Sequence, residues 1–316
     1  MADTPAWEIL AFDFGNSRGR CALCTRSGQR GPAAAFQRAE GEDGPLWLKR
    51  MLEAGKKLHA ESGAPKLSGV GVSFGGPVFP DGRIFSHHVS GWEHVNLAAE
   101  MRAAFGAPCA VDNDGNLGGF GEQRYGAGRG VRDLLYLTVS TGIGGGVILN
   151  GQVHRGANGL AGEIGHMPIT PLDPNAPECT CHKRGCLESL ASGPAIEALG
   201  REALKHAGRA VPQGFTSKNV FEAVAQGEAW ALATRERAVN ALAQGIAGAV
   251  CILDTKLVVL GGGVTLAADL LFAPLRERFE EFLPPVLRGK CRIEPAALGD
   301  FAPLMGACAL ACEAGA

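Results

Sequence analysis

The chain has 316 residues, with 30 Lys and Arg against 32 Asp and Glu, and a formal net charge of −2 at neutral pH. This balance lacks the basic excess of nucleic-acid-binding proteins, and no apolar run approaches the length of a membrane span. The first ten residues lack the basic-then-apolar order of a signal peptide, and ten scattered cysteines are typical of reduced thiols. We therefore expect a cytoplasmic protein of one large or two medium domains.

The first apolar run, residues 9–12, is followed by a polar turn and a second apolar run at 21–25. This pattern predicts a strand, a tight turn and a second strand. In the turn, Gly15, Asn16 and Ser17 could offer backbone N–H groups and a hydroxyl to phosphate oxygens. Asp13, at the end of the first strand, could bind Mg²⁺. Taken alone, the segment could equally be an ordinary hairpin turn.

A helix is predicted over residues 45–59, from apolar side chains at helical spacing, and a strand over 69–74. Gly75 and Gly76 end this strand and would let the backbone approach a substrate closely, although a plain turn explains them as well. Asn96 is expected to cap a short helix that runs to Phe105.

The next predicted strand, residues 109–111, leads into the sequence Asp-Asn-Asp-Gly-Asn at 112–116 and then into a helix to Tyr125. Asp114 would lie at the end of a strand and at the N-terminus of a helix, where the helix dipole favours an ionised carboxylate. That position suits a general base, but it equally suits a helix cap. The local sequence alone favours the cap.

A second glycine-rich turn follows a predicted strand at residues 134–139. It begins Ser140, Thr141, Gly142 and leads into an apolar run at 147–149. This arrangement resembles the Asp13 hairpin, without a repeat at the level of individual residues. Two such hairpins, one in each half of the chain, are what a two-domain nucleotide-binding protein needs.

Residues 162–188 contain four prolines and the set His166, Cys179, Cys181 and Cys186. The prolines exclude a continuous helix or a central strand, and a loop of this length needs a tether. One imidazole and three thiolates suit tetrahedral Zn²⁺, so we predict a structural zinc site rather than four unrelated side chains. A Cys179–Cys181 disulfide is disfavoured because its loop would be strained.

Two acids accompany these four side chains. Glu163 lies three residues before His166, so both would share a face of a helical turn, and Glu188 follows Cys186 by two residues. Together they would form the wall of a polar pocket, although either glutamate alone would be interpreted as a solvated surface charge.

The last third of the chain predicts helices from a Ser192 cap to about residue 252, a strand at 257–260, a strand at 290–294 and a helix at 302–314. Gly262 and Gly263 follow the first of these strands. They could pass under an adenine or ribose, or they could serve only tight strand–helix packing. Strands and helices alternate along the chain, which is typical of the α/β class.

At this point the motifs resemble those of the ROK family of sugar kinases, within the actin-like ATPase superfamily. The resemblance covers nearly the whole chain. It is carried by DFGNS at 13–17, VDNDGN at 111–116, STGIGGG at 140–146, GEIGH at 162–166, CTCHKRGC at 179–186 and LGGG at 260–263. The combination of Glu-x-x-His with Cys-x-Cys-x4-Cys is the most specific of these signals, whereas the first hairpin and LGGG are widely shared.

The resemblance implies two actin-like ATPase (ribonuclease H-like) domains around a sugar/ATP cleft. The small domain would comprise residues 1–117 and 301–316, and the large domain, with the zinc loop, 118–300. Asp114 would be the catalytic base, which reverses the local preference for a cap. The implied sugar contacts are Gly76, Asn113, Asp114, Glu163, His166 and Glu188. The implied ATP contacts are Asp13, Gly15, Asn16, Ser17, Thr141, Gly142, Gly262 and Gly263. A homodimer is usual in this family.

The chain departs from the family pattern at Asn16 and Ser17, which stand for Gly and Thr, and at Ser140, which stands for Gly. His182 stands where Gly usually follows the Cys-x-Cys pair, and we expect it to point outward rather than to compete for zinc. The predicted activity is ATP-dependent phosphorylation of a hexose 6-hydroxyl, of glucokinase type. The alternatives are an N-acetylmannosamine or N-acetylglucosamine kinase, a fructokinase, or a sugar-sensing protein without turnover.

Overall fold

The computed structural model describes residues 6–63, 66–86 and 88–315. Ten strands lie in this part of the chain: β1 (Ile9–Phe14), β2 (Arg18–Cys24), β3 (Arg30–Gln37), β4 (Gly69–Phe74), β5 (Cys109–Asn113), β6 (Leu134–Val139), β7 (Ile143–Leu149), β8 (Gln152–Val153), β9 (Leu257–Gly261) and β10 (Arg292–Pro295). The α-helices of the same residues are α1 (Gly44–Glu61), α2 (Leu97–Phe105), α3 (Asp114–Tyr125), α4 (Leu187–Ala191), α5 (Gly193–His206), α6 (Ser217–Ala225), α7 (Ala229–Leu253), α8 (Asp269–Phe282) and α9 (Ala302–Ala314).

The first sheet has the strand order β3-β2-β1-β4-β5. β1 is antiparallel to β2 and parallel to β4, and β5 is parallel to β4. β1 and β4 are buried along their whole length, which explains why their sequences are continuous apolar runs rather than alternating ones.

The second sheet has the order β10-β9-β6-β7-β8. β9 is parallel to both β6 and β10, and β8 is antiparallel to β7. Read from its other edge, β8-β7-β6-β9-β10 repeats the order of the first sheet, strand for strand. The similarity of the two glycine-rich hairpins in the sequence is therefore a repeat of topology, and the α/β class is confirmed.

The chain divides into two compact units. Unit 1 holds the described residues up to Arg132, then Gly146–Ala161 and the described residues from Asp300 onward; unit 2 holds Asp133–Gly145 and Gly162–Gly299. The domain boundary expected from the sequence lay at residue 117. Residues 118–132 and 146–161 fall in unit 1 because they contain most of α3, which packs on α9, and β8, which lies beside α3.

The packing of α3 on α9 depends on small residues. A Cβ atom at Gly306 of α9 would clash with the backbone carbonyl oxygen of Leu117 in α3. Only glycine lets the two helix backbones come this close. The N-terminus of α3 carries the sequence Asp-Gly-Asn, so this contact fixes the element that presents Asp114.

Most predicted elements are confirmed, including the Asn96 cap of α2 and the Ser192 cap of α5. Three strands or helices of the described residues were missed, among them the two-residue strand β8. β3 is a largely exposed strand beside β2, with the sequence RGPAAAFQ, and it lacks the aromatic and β-branched run that marks a buried strand. α4 is a short helix that begins at the end of the segment expected to be irregular, and it contains Glu188. No helix in the described part of the chain is long and apolar enough to cross a membrane.

Candidate active site and metal-binding cluster

A row of polar side chains crosses the first sheet where its parallel strands end. The strand register aligns Arg20 of β2 with Asp13 of β1, Asp13 with Ser73 of β4, and Ser73 with Asp112 of β5. Residues opposite each other on neighbouring strands project to the same face. The Ser73 hydroxyl donates to Asp13 Oδ1 at 2.9 Å, and Arg20 Nε lies 3.6 Å from Asp13 Oδ2. Four polar side chains are therefore lined up across the neighbouring strands β2, β1, β4 and β5.

Asp13 is almost completely buried in this row. Burial raises the pKa of its carboxyl above the usual range, against the opposing effects of the Arg20 charge and the Ser73 hydroxyl. The donor set fits a magnesium ion: Mg²⁺ in kinases is held by one or two carboxylates together with substrate phosphates and water.

The hairpin after Asp13 is closed by a hydrogen bond from the Gly15 N–H to the Arg18 carbonyl at 3.0 Å. Arg38, which directly follows β3, donates two hydrogen bonds to the turn. Its backbone N–H donates to the Ser17 carbonyl at 2.9 Å and its Nε to the Asn16 carbonyl at 2.6 Å. The Asn16 side chain accepts from the Ser86 hydroxyl at 3.3 Å. The carbonyl groups of Asn16 and Ser17 are therefore bound by Arg38, whereas Ser17 itself is exposed in the turn.

Asn113, not Asp114, is the N-cap of α3. Its side-chain oxygen accepts from the N–H groups of Gly115 at 2.8 Å and Asn116 at 3.3 Å, and its amide donates to the Gly76 carbonyl at 3.0 Å. Asp114 is the first residue of the helix and its Oδ1 accepts from the Gly115 N–H at 2.8 Å. The preference for Asp114 as the cap was therefore wrong, because the preceding Asn supplies that cap.

Sequence reasoning also missed the partners of Asp112. This carboxylate is buried, and its Oδ2 accepts from both Nε and Nη2 of Arg155 at 2.7 Å. Its Oδ1 accepts from the Asn113 N–H at 2.8 Å and from the Asn116 amide at 2.9 Å. Nothing in the sequence indicated Arg155, which lies 43 residues from its partner.

In unit 2, the second hairpin is tied to Glu188. The turn is closed by a bond from the Ser140 N–H to the Gly142 carbonyl at 2.9 Å, and the exposed Thr141 lies at its tip. The Ile143 N–H donates to Glu188 Oε2 at 2.9 Å. A Cβ at Gly142 would lie 2.5 Å from the same oxygen, so only glycine allows the carboxylate this close.

His166, Cys179, Cys181 and Cys186 come together in unit 2, with all four candidate ligand atoms within 4.8 Å of one another. His166 Nδ1 lies 3.5 Å from Cys179 Sγ, and the sulfurs of Cys181 and Cys186 are 3.6 Å apart. Zinc–sulfur bonds of about 2.3 Å in a tetrahedron place two sulfurs about 3.8 Å apart. The donor set and the spacing therefore fit a tetrahedral zinc ion.

The thiols of this cluster differ in proton affinity. The Lys183 backbone N–H lowers the pKa of Cys181, whereas burial and the neighbouring thiols of Cys181 and Cys179 raise the pKa of Cys186 to about 12. Two neighbouring thiolates repel each other because both are negatively charged. A bound cation would remove this repulsion.

The two ring nitrogens of His166 face different groups. Nδ1 points to the cysteine sulfurs, and Nε2 lies 3.9 Å from Glu163 Oε2. Glu163 precedes the short 3-10 helix Ile164–His166, so the predicted shared face of a helical turn is what brings the two side chains together. Both side chains are exposed, as a pocket wall requires.

His182 points away from the cluster, as expected. Its side chain is 90% exposed, and its Nδ1 lies 3.8 Å from Glu178 Oε1. Gly262 and Gly263 follow the end of β9, where a 3-10 helix, Gly263–Ala267, leads towards α8.

The structure therefore distributes the predicted site residues over both units. Those of unit 1 are Asp13, Gly15, Asn16, Ser17, Gly76, Asn113 and Asp114. Those of unit 2 are Thr141, Gly142, Glu163, His166, Cys179, Cys181, Cys186, Glu188, Gly262 and Gly263. Each unit brings together a glycine-rich hairpin and acidic side chains.

Sugar kinases are among the curated relatives of this chain. A glucokinase from Thermotoga maritima is 36% identical over 233 residues, covering 72% of this chain and 73% of its own. A glucokinase from Halalkalibacterium halodurans is 31% identical over 310 residues, covering 95% and 93%. An N-acetylmannosamine kinase from Haemophilus influenzae is 34% identical over 220 residues, covering 70% and 68%.

Solved structures of ROK family proteins are also similar to this chain. A ROK hexokinase from Thermus thermophilus superimposes with a TM-score of 0.83 at 30% identity, covering 96% of this chain and 97% of its own. A ROK family glucokinase from Streptomyces griseus, in complex with glucose and AMPPNP, gives 0.80 at 25% identity, covering 96% and 99%. The model of the ROK family matches residues 9–314. This chain therefore belongs to the ROK family, and its two mixed five-stranded sheets form the actin-like ATPase fold of that family.

Proposed function

We propose that this protein is an ATP-dependent hexose kinase that phosphorylates the 6-hydroxyl of glucose. The observation that carries the proposal is the junction of β5 and α3. There Asn113 supplies the helix cap, and an adjacent carboxylate, Asp114, begins the helix at the end of a parallel strand. The glucokinases at 31% and 36% identity support glucose as the first substrate to test.

In this proposal, Asp114 takes the proton of the 6-hydroxyl as its oxygen attacks the γ-phosphorus of ATP, and the bond from that phosphorus to the β–γ bridging oxygen breaks to release ADP. A carboxylate can act as base here because phosphoryl transfer depends mainly on positioning and charge stabilisation. The helix N-terminus favours the ionised form of Asp114 before proton transfer.

We propose that the remaining sugar hydroxyls are bound by Asn113, Glu163, His166 and Glu188, with the Gly76 backbone beside the sugar. Asn113 uses one amide hydrogen on the Gly76 carbonyl, and the other would donate to a hydroxyl. Carboxylates accept from hydroxyl groups, and a ring nitrogen of His166 can donate or accept according to its tautomer.

We propose that the ATP phosphates bind at the two hairpins, through Gly15, Asn16 and Ser17 in unit 1 and Thr141 and Gly142 in unit 2. Gly262 and Gly263 would approach the adenosine. Asp13 would hold Mg²⁺, which when bound neutralises charge on the phosphate oxygens. The chain's own task is to present N–H groups and hydroxyls to the phosphates and to exclude water from the sugar.

We propose a structural Zn²⁺ held by His166 Nδ1, Cys179, Cys181 and Cys186. With Nδ1 on the metal, the proton of a neutral imidazole lies on Nε2, the nitrogen that faces Glu163. The metal would thus fix which ring nitrogen is offered to the sugar. It would also replace the apolar core that a loop with four prolines lacks.

A coupled assay of ADP release with a panel of sugars tests the proposed activity. Glucose should give the highest kcat/KM among glucose, mannose, fructose, N-acetylglucosamine and N-acetylmannosamine. The second candidate is N-acetylmannosamine, favoured by the relative at 34% identity, and a higher kcat/KM for that sugar would replace glucose in the proposal. Sugar binding by calorimetry without turnover of any sugar would instead indicate a sensor.

We further propose that the protein acts in the cytoplasm as a homodimer, which the family resemblance implies. Light scattering during size-exclusion chromatography at several concentrations measures the mass directly. The 32.8 kDa chain should elute at twice that mass, and a mass of one chain would refute the dimer.

A further inference from the structure

Arg155 lies at one end of the buried polar row in the first sheet. The row runs from Arg20 through Asp13, Ser73 and Asp112, and Arg155 binds the far side of Asp112. Two buried carboxylates are thus flanked by two guanidinium groups. A buried carboxylate is tolerated when a cation and hydrogen bonds satisfy it, and Arg155 is the cation at Asp112.

Asp112 in turn holds the chain on both sides of Asp114. Its Oδ1 accepts from the Asn113 N–H, one residue before Asp114, and from the Asn116 side chain, two residues after it. Its Oδ2 accepts from Arg155. This one carboxylate therefore contacts both the last residue of β5 and the first turn of α3.

We propose that Arg155 is a positioning residue for phosphoryl transfer: it locks Asp112, and through Asp112 it fixes the backbone that presents Asp114 to the sugar hydroxyl. This inference rests on the proposed role of Asp114 as base. Without the guanidinium, Asp112 Oδ2 is a buried charge without its cation, and the carboxylate has to rotate or take up a proton. Either change weakens its hold on Asn113 and moves Asp114.

Four variants test the proposal: Arg155→Met, which keeps an apolar stem of similar length, Arg155→Lys, which keeps the charge, Asp112→Asn, and the double variant Arg155→Met with Asp112→Asn. Arg155→Met should lower kcat by about tenfold to a hundredfold, since a shift of ~1 Å at a catalytic group can cost about a hundredfold. Sugar affinity measured by calorimetry should fall by a smaller factor than kcat, because the proposed contacts of Glu163, His166 and Glu188 do not depend on Asp112. Arg155→Lys should recover most of the lost kcat.

Arg276→Met is the matched control. Arg276 also makes a partly exposed ion pair and a backbone bond, to Glu294 at 3.3 Å and to the Ile293 carbonyl at 2.9 Å, but it lies outside the proposed site. If Arg155 were only one more surface ion pair, both Met variants would lower the thermal unfolding temperature alike and leave kcat unchanged. That outcome would overturn the proposal.

The double variant tests whether Arg155 affects kcat through Asp112. If Arg155 acts through Asp112, Arg155→Met should cost little further kcat in the Asp112→Asn background, because the charge it neutralises is gone. If Arg155→Met lowers kcat by the same factor in the wild-type and Asp112→Asn backgrounds, the proposal is overturned. If Asp112→Asn does not fold, the comparison of Arg155→Lys with Arg155→Met is the deciding test. Wild-type protein without turnover, or Asp114→Asn protein with wild-type kcat, would instead overturn the base assignment, and this inference with it.

Discussion

The Glu188 carboxylate joins two parts of unit 2. One oxygen accepts from the backbone N–H of Ile143 at 2.9 Å, and the other accepts from the Thr180 hydroxyl at 2.8 Å. Thr180 lies between the proposed zinc ligands Cys179 and Cys181, whereas Ile143 begins β7 directly after the second hairpin. A side chain proposed to bind sugar thus also connects the proposed zinc-binding cluster to the hairpin proposed to bind ATP.

This connection predicts that Glu188→Ala raises the KM for both substrates. Each lost hydrogen bond to a charged group is worth about 1.5–3 kcal/mol, so at least a tenfold effect is expected on each constant. Thr180→Val should affect the sugar KM less than Glu188→Ala does, and Thr180→Ser, which keeps the hydroxyl, serves as its control. A rise in the sugar KM alone would mean that Glu188 does not support the hairpin.

The metal-binding cluster predicts about one tightly held Zn²⁺ per chain, because four protein ligands make a closed structural site. Cys181→Ser should lower both the zinc content and the thermal unfolding temperature, since metal binding contributes directly to folding. Cys251→Ser, at an exposed cysteine of α7, should change neither. Metal analysis of protein purified without chelator decides the matter, and a preparation free of zinc that unfolds at the wild-type temperature would contradict the site.

Asp114→Asn separates the base from the cap. Loss of a general base typically lowers the rate by about 10²–10⁴, so kcat should fall by that factor while thermal unfolding stays nearly unchanged. Asn113→Ala is the control at the neighbouring residue. It removes the N-cap and should lower the free energy of unfolding by about 1 kcal/mol. It should also lower sugar affinity. An Asp114→Asn variant that keeps more than about a tenth of the wild-type kcat would refute the proposed mechanism.

Gly306→Ala should destabilise the protein, although alanine is normally the better helix former. The added Cβ has to push α9 away from the Leu117 carbonyl of α3, and overpacking of this kind costs about 1–3 kcal/mol. Gly248→Ala in α7 is the control, because its Cβ would meet only the Met167 sulfur at 3.7 Å; it should stabilise the helix by about 0.5–1 kcal/mol. Urea unfolding of both variants measures the difference.

Local sequence chemistry predicted much of the fold. Continuous apolar runs marked β4 and β6 to the residue, and the Asn96 cap marked the start of α2. The clustering of His166, Cys179, Cys181 and Cys186 was also predictable, since these side chains lie within 21 residues, His166–Cys186, and their donor chemistry is distinctive. These features depend on neighbours in the chain, which the sequence displays directly.

Features that depend on distant partners were not predictable. Arg155 looks like any surface arginine until the fold brings it to Asp112, and β3 is a strand because β2 offers it an edge. The local preference for Asp114 as the cap of α3 was wrong for a related reason: Asn and Asp both favour the N-cap position, and only the backbone geometry shows that Asn113 occupies it. Pairwise contacts across the sequence, rather than residue preferences, determine these choices.

The division of the chain also limits how the protein can be dissected. The polypeptide passes from one compact unit to the other after Arg132, Gly145, Ala161 and Gly299, so neither unit is a continuous segment. A fragment that stops at Arg132 would lack α9 and Arg155, and would expose the face of α3 that packs on Gly306. Separate expression of either half therefore requires circular permutation or a linker, and we expect a single cut at these crossings to release no autonomously folding piece.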